Sequence, residues 1–214
     1  MTELSSPSPA DMPSVPNGKL GPLFYVVALR KFALLFVATF GLYQVYWFYK
    51  NWSNFKGRMP FASEVGTTIW PVPRAVFSVF FVHALFKAVK QHAPDKPSVA
   101  AWGQSTHATL VVVLILLSNV LSRLSEKIDE NFWLNMAAIL IVFPLMVAIR
   151  NAQDMINIAC DDPQGRTNAT LTWANTTWIV IGTLCWVLIL IGTFAMGPDT
   201  GGGAGFHTGG DSGF

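Results

Sequence analysis

The chain has 214 residues, of which 52% are hydrophobic and only 12% are charged. An ordinary soluble domain has about a quarter of its residues charged, so this composition excludes one and indicates an integral membrane protein. The formal net charge of +2 is too small to indicate a nucleic-acid-binding surface, and we expect no nucleic-acid partner.

Two segments of low hydrophobicity flank the apolar part of the chain. Residues 1–23 are rich in Ser and Pro and lack the basic start and apolar centre of a signal peptide, so we expect a disordered leader. Residues 197–214 are rich in Gly and contain no Lys or Arg, which is typical of a flexible tail. We therefore expect a single transmembrane domain over residues 24–196.

The first apolar run, Phe32–Tyr49, ends in the densest aromatic motif of the chain. A helix that crosses a hydrocarbon core of ~30 Å needs about 20 mostly apolar residues, so this run predicts a membrane span. The motif reads Gly-Leu-Tyr-Gln-Val-Tyr-Trp-Phe-Tyr-Lys-Asn-Trp over Gly41–Trp52, and we call it the aromatic box. Tyr and Trp favour the headgroup level of a bilayer. The side chains expected to anchor the span there are Tyr43, Tyr46, Trp47, Tyr49, Lys50 and Trp52.

The next apolar stretch, Ala75–Phe86, has about a dozen residues, fewer than a comfortable span needs. It is interfacial, re-entrant, or a true span that recruits Ile69–Val72. Pro71 and Pro73 argue against a regular helix in the recruited part.

A basic face accompanies this stretch. Arg74 lies at its start, and His83, Lys87 and Lys90 share one helical face because of their spacing. A basic face beside aromatic residues is typical of an interfacial helix. We expect these four side chains to contact lipid headgroups.

Three further runs predict crossing helices in the second half of the chain. Ser105–Leu124 is long enough if His107 and two other polar residues are tolerated inside it. Phe132–Ile149 contains Pro144, which should kink the helix. Trp173–Met196 is uninterrupted by charge.

Polar and small residues inside the runs are interpreted as helix-packing residues. Asn119, Asn135 and Gln44 can form hydrogen bonds between membrane helices, each worth about 0.6–2 kcal/mol. Gly182, Cys185 and Gly192 give the last span a face of small residues. The small residues expected at helix contacts are Gly41, Gly182, Cys185 and Gly192.

Positive charge favours four spans over five only slightly. Cytoplasmic segments carry an excess of Lys and Arg, and four spans place slightly more of these residues in the cytoplasm than five spans do. Four spans place Arg30 and Lys31 outside the cytoplasm, which opposes that rule. Both topologies place the C-terminal tail on the non-cytoplasmic side.

Titratable residues form no pattern typical of catalysis or metal binding. No His lies three or four residues from another His, Cys, Asp or Glu on a predicted helix, and no HExxH or CxxC motif occurs. The long runs contain no Asp or Glu, which argues against a proton-coupled pump. We expect no catalytic residue, no metal and no cofactor, and we do not expect an enzyme.

The order of the motifs resembles a group of uncharacterised bacterial inner-membrane proteins that share a domain of unknown function. The resemblance covers roughly residues 32–192. It implies a multi-pass protein of the bacterial inner membrane and implies no activity. The features that carry it are the aromatic box, Pro73–Phe77, Phe143-Pro144 followed by Gln153 and Asn157, and Thr172–Trp178 with Gly182.

The sequence thus predicts an all-α, multi-pass transmembrane helical bundle of four or five spans plus one interfacial or re-entrant helix. We expect a non-enzymatic component that interacts with the lipid bilayer, including anionic lipid, or with other membrane proteins or copies of itself. The alternative is a small transporter or channel subunit whose path is lined by Arg74, Gln44 and Asn119.

Overall fold

The computed structural model describes residues 21–58, 69–128 and 131–196, and these residues form helices and connections without a β-strand. The expected tail, and all but the last three residues of the expected leader, lie outside the described residues. The helices are α1 (Leu29–Ala38), α2 (Tyr43–Arg58), α3 (Pro71–Val76), α4 (Ser78–His92), α5 (Pro97–Ala101), α6 (Gln104–Lys127), α7 (Phe132–Leu140), α8 (Val142–Ala159), a 3-10 helix (Arg166–Asn168) and α9 (Trp173–Met196).

Three helical segments of the described chain are long and apolar enough to cross a membrane. They are α6, the pair α7–α8 and α9, and they coincide with the last three runs predicted from sequence. The structure therefore supports a membrane protein. The expected count of four or five spans is not confirmed.

The three segments alternate in direction. His107, near the start of α6, donates from Nε2 to the carbonyl oxygen of Ala148 in α8 over 2.9 Å. The rings of Phe132 and Phe194 meet at the opposite end, with centroids 6.1 Å apart. The start of α6, the end of α8 and the start of α9 thus lie at one end of the bundle, called end A here. The end of α6 and the start of α7 lie at the other, called end B.

The prediction of one continuous helix over Phe32–Tyr49 is wrong. The chain turns between α1 and α2, where Phe40 and Gly41 have φ angles of 53° and 83°. An α-helix cannot continue through this left-handed backbone conformation. α1 therefore has 10 residues, about half of what a span needs.

Thr39 stabilises this turn on both sides. Its hydroxyl donates to the Leu35 carbonyl oxygen in the last turn of α1 (2.8 Å), and its Oγ1 accepts from the Tyr43 N–H at the start of α2 (2.9 Å). One side chain therefore caps the C-terminus of α1 and the N-terminus of α2.

α1 and α2 form a hairpin that starts and returns at end A. Lys31, in the first turn of α1, donates to Asn168, which precedes α9. The turn lies farther along the bundle, where Trp186 of α9 donates to a carbonyl oxygen near the end of α1. α2 then runs back, and its Trp47 bonds to Gln153 near the end of α8.

α3 and α4 form where the sequence predicted the short stretch Ala75–Phe86. α4 runs antiparallel to α6: His83 Nε2 lies 3.1 Å from Thr109 Oγ1, and the Lys90 ammonium donates to the Trp102 carbonyl oxygen over 2.8 Å. α4 thus ends at end A. With 15 residues, it is shorter than a span.

The long segment Phe132–Ala159 is interrupted near its proline, in the region where the sequence predicted a kink. α7 ends at Leu140 and α8 begins at Val142. Pro144 has no N–H to bond to the carbonyl oxygen four residues earlier, so the helix cannot continue regularly there.

Candidate functional site

The segment that precedes α1 is held at end A without belonging to a helix. Residues 21–28 contact α2, α8 and the 3-10 helix. Buried backbone N–H and C=O groups are costly unless they form hydrogen bonds, and this segment has no neighbouring strand to supply them. Side-chain amides supply them instead. We call these residues the amide cluster: Asn51, Gln153, Asn157 and Asn168.

Two members of the amide cluster come from α8. Asn157 accepts from the Val27 N–H (3.3 Å) and donates to the Val27 carbonyl oxygen (2.9 Å), as a neighbouring strand would. Gln153 donates to the Tyr25 carbonyl oxygen (3.0 Å) and to Asn157 Oδ1 (2.7 Å), and accepts from the Trp47 indole. Both amides are fully buried, and every polar atom in them is bonded.

The other two members of the amide cluster, Asn51 and Asn168, also form hydrogen bonds with the segment that precedes α1. Asn51 accepts from the Tyr25 N–H (3.1 Å) and donates to the Trp47 carbonyl oxygen (2.9 Å). Asn168 donates to the Val26 carbonyl oxygen and to the Tyr25 hydroxyl, each over 3.0 Å. The amide cluster therefore joins the N-terminal segment, α2, α8 and the loop before α9.

A buried lysine adjoins this cluster. Lys31 is 6% exposed, and its ammonium donates to Asn168 Oδ1 (2.7 Å) and to the Thr170 carbonyl oxygen (2.8 Å). Burial lowers the pKa of Lys31 because the charged form loses water. These neutral oxygens compensate for part of that loss.

The structure divides the aromatic box between the interior and the surface. Tyr46 and Tyr49 are exposed by 44% and 37%, and the Lys50 ammonium lies 5.9 Å from the centre of the Tyr46 ring. Tyr46, Tyr49 and Lys50 are therefore accessible for the expected contact with lipid headgroups. The members of the box that pack inside the protein are Tyr43, Trp47 and Trp52.

Arg74 packs between two aromatic rings. Its guanidinium lies 4.4 Å from the centre of the Trp52 ring and 5.0 Å from that of Phe81. Cation–π contacts of this kind connect α3 to α2 and α4. Burial lowers the pKa of Arg74, although the group stays charged at neutral pH.

The remaining basic residues of the predicted face differ in exposure. Lys87 and His83 are exposed. Lys90 is half-buried and donates to the Trp102 carbonyl oxygen. Lys87 is therefore the member of this face that is freest to reach a headgroup.

The two ends of the bundle differ in positive charge. The sequence has 14 Lys and Arg residues, of which Lys19 lies outside the described residues. Arg123 and Lys127 lie near end B, on the last turns of α6. The other described Lys and Arg residues lie on segments that meet at end A, except Arg74, whose helix α3 adjoins the start of α4 and not its end.

Of the small residues expected at helix contacts, Gly182 makes the closest one. A Cβ added there would lie 1.8 Å from the Ala38 carbonyl oxygen, so α9 crosses α1 at this point. Gly41 has positive φ in the hairpin turn, and Cys185 is half-buried. Gly192 has open space around it.

A cavity of about 380 Å³ lies near end B, between α6, α7, α8 and α9. We call it the end-B cavity. Asn135 was expected to be a packing residue, and the cavity was not predicted, although the spacing of its three serines places them on one face of α6. Its polar lining is Ser118, Ser122, Ser125, Asn135 and Thr193. Its other lining residues are Phe40, Ala138, Ile139, Ile141, Val142 and Leu145.

The residues proposed for a transport path do not line this cavity. Gln44 is buried in α2 and Arg74 lies between aromatic rings. Asn119 donates to the carbonyl oxygen of Ile115 in its own helix (2.8 Å). The structure does not bring these three residues together.

Within the described residues, no group of three or more His, Cys, Asp or Glu is placed to hold a metal ion. No protein-family model, curated protein or solved structure matches the chain.

Proposed function

We propose that this chain is a multi-pass membrane protein that acts by contact with lipid and with other membrane proteins rather than by catalysis. The observation that carries the proposal is the concentration of Lys and Arg at end A, next to exposed aromatic side chains. Each cation near an anionic leaflet contributes about 1 kcal/mol of attraction. Exposed aromatic rings suit the headgroup level.

The same charge distribution supports a cytoplasmic end A. With this orientation, Arg123 and Lys127 are the described cations left on the other side, in agreement with the positive-inside rule. The segment before α1 is then cytoplasmic and the end of α9 is not. We infer three spans and a re-entrant α1–α2 hairpin in place of four or five spans.

The surface of α9 supports contact with lipid or with a partner. Gly182 is its one buried residue among those whose side chains are described. The rest of the helix presents apolar side chains, including Leu184, Leu188 and Ile191 at more than half of their full exposure. A bilayer, another membrane protein or a second copy of the chain would cover this face.

We also propose the bacterial inner membrane as the location and the uncharacterised family with the aromatic box as the relatives. Both proposals rest on the resemblance of the motifs alone.

Lipid retention tests the main proposal. The variant Lys56→Gln/Lys87→Gln removes two exposed cations at end A, and Arg123→Gln/Lys127→Gln removes two near end B as a matched control. In nanodiscs with equal phosphatidylglycerol and phosphatidylcholine, the first variant should retain about thirtyfold less phosphatidylglycerol, since two cations worth about 1 kcal/mol each are lost. Equal losses in the two variants, or no preference for phosphatidylglycerol in the parent protein, would contradict the proposal.

The end-B cavity favours a second candidate, a small transporter or channel subunit. Polar lining residues between membrane helices are typical of substrate paths. Toward end A, however, the bundle is filled by buried residues such as Phe36, Trp47 and Ile149. A flux assay in reconstituted vesicles separates the two functions.

A further inference from the structure

We propose that the end-B cavity binds one uncharged amphiphile from the leaflet at end B, with a hydroxyl or ester head and a single apolar chain. A long-chain monoacylglycerol has this chemistry. The site is distinct from the basic surface, which lies at the opposite end and favours anionic lipid.

The polar side chains of the cavity need a hydrogen-bonding occupant. Asn135 is half-buried, and no described residue forms a hydrogen bond with its side chain. Ser118 and Ser122 also point to the cavity from α6. Hydrocarbon cannot satisfy these donors and acceptors, and unsatisfied polar groups in a membrane are costly.

The polar and apolar residues that line the cavity lie at different depths along the bundle. Ser125 and Asn135 lie closest to end B, on the last turn of α6 and the first turns of α7. Phe40, Val142 and Leu145 lie deeper, around the turn of the α1–α2 hairpin and the start of α8. A lipid of that leaflet has the same orientation, with its head outward and its chain toward the middle of the membrane.

The lining also selects against a charged head. Every described residue that lines the cavity is uncharged. An anionic or cationic group would lose water there without gaining an opposite charge, and this loss is large in a site of low polarity. Hydroxyl and carboxamide groups suit a neutral head that both donates and accepts.

The cavity is too small to enclose a whole long-chain lipid. Its volume of about 380 Å³ lies toward the lower end of the ~300–1,000 Å³ that is typical of small-molecule sites, and a long-chain monoacylglycerol is larger than this. The cavity therefore has room for the head and the first part of one chain, and the rest of that chain extends into the bilayer.

The base of the cavity is held in place by the hairpin. Phe40 has a φ of 53°, a strained backbone conformation for a residue with a large side chain. Its ring stacks on Trp186 of α9 with centroids 4.6 Å apart. This contact fixes the hairpin turn against α9 and so preserves the space above it.

The test measures binding of monoolein to the full chain in phosphatidylcholine nanodiscs. The parent protein should bind about one monoolein saturably. Asn135→Leu removes the free amide at nearly constant volume, and Ala138→Phe fills the space, so each should raise the half-saturating mole fraction at least tenfold. Asn119→Leu is the matched control because it changes an amide of α6 that does not line the cavity, and it should leave binding unchanged.

Competition experiments define the ligand class. Oleate and lyso-phosphatidylglycerol have the same chain with a charged head, and each should compete at least tenfold less well than unlabelled monoolein. Saturable binding that Ala138→Phe does not weaken, equal competition by oleate, or no saturable binding by the parent protein would overturn the inference. If Asn135→Leu does not fold, Ala138→Phe and the competition series still decide. The Lys56/Lys87 variant should bind monoolein normally, so this inference and the proposed function can fail separately.

Discussion

Gly182 of α9 lies directly on the backbone of Ala38 in α1, so close that a Cβ at Gly182 would be 1.8 Å from the Ala38 carbonyl oxygen. Gly182→Ala should therefore separate the two helices and lower the free energy of unfolding by about 2–3 kcal/mol, the cost of overpacking. Gly192→Ala lies on the same helix with open space around it, and it should stabilise the protein by about 0.5–1 kcal/mol because alanine favours helix. Thermal unfolding in one detergent measures both, and equal effects of the two variants would exclude this account.

The amide cluster predicts a large effect at Asn157. Asn157→Leu leaves the N–H and C=O of Val27 buried without partners, which should destabilise the protein by roughly 2–4 kcal/mol. Asn151→Leu changes an exposed amide of the same helix and should have little effect. Hydrogen exchange supplies a local measurement: the Val27 amide should lose protection in the first variant alone. Protection that is unchanged in Asn157→Leu would contradict the assignment.

The loop before α9 should be sensitive to acid through Asp162. The backbone N–H of Thr167 and that of Arg166 both donate to this carboxylate over 2.9 Å. These bonds lower the pKa of Asp162 from its ordinary value of 3.8. Because the folded pKa is depressed, its contribution to stability is present above pH 3.8 and is lost as pH falls through the lower folded value. The Thr167 amide should then lose its hydrogen-exchange protection.

A matched variant tests that assignment. Asp162→Ala removes the acceptor at every pH, so its loop should already be unprotected at pH 7 and show no further change in acid. A parent loop whose protection is the same in strong acid as at pH 7 would show that the carboxylate does not hold it.

Labelling of single cysteines tests the re-entrant hairpin. In a background of Cys160→Ser/Cys185→Ser, new cysteines replace Arg30, Lys56, Gln164 or Lys127. If end A is cytoplasmic, a membrane-impermeant maleimide added to intact cells should label the variant at Lys127 and spare the other three. Four spans would expose Arg30 together with Lys127, and five spans would expose Lys56. Either result would replace the hairpin topology.

The sequence predicted the crossing helices of the second half well, because hydropathy and length report burial in lipid directly. Trp173–Met196 has the predicted limits, and α6 extends Ser105–Leu124 by one residue at its start and three at its end. The interruption of the helix near Pro144 was also predictable, since the missing N–H of proline acts locally. These features depend on residues that are close together in the chain.

The prediction of a span from the first apolar run was wrong because hydropathy does not detect a reversal of the chain. Phe32–Tyr49 has the composition of a span, but the chain reverses at Phe40 and Gly41. Gly41 is a residue type that favours positive φ, and Thr39 is a residue type that often caps helices, so both could have indicated a turn. Without tertiary contacts, neither shows that the two halves pack side by side.

The candidate sites were least predictable because their members are distant in sequence. Gln153 and Asn157 were named among the motifs that carry the resemblance, yet their partners, Tyr25 and Val27, lie 128 and 130 residues away. Asn135 likewise gains its significance from the serines and the threonine that face it across three helices.

The turn at Thr39 has a consequence for how this protein enters a membrane. If end A is cytoplasmic, as proposed, the re-entrant hairpin keeps Arg30, Lys31 and Lys56 on the side where the ribosome delivers them. None of these three cations then has to cross the hydrocarbon core of the membrane during biogenesis. With this topology, the insertion machinery needs to export just the short link between α6 and α7 and whatever follows α9.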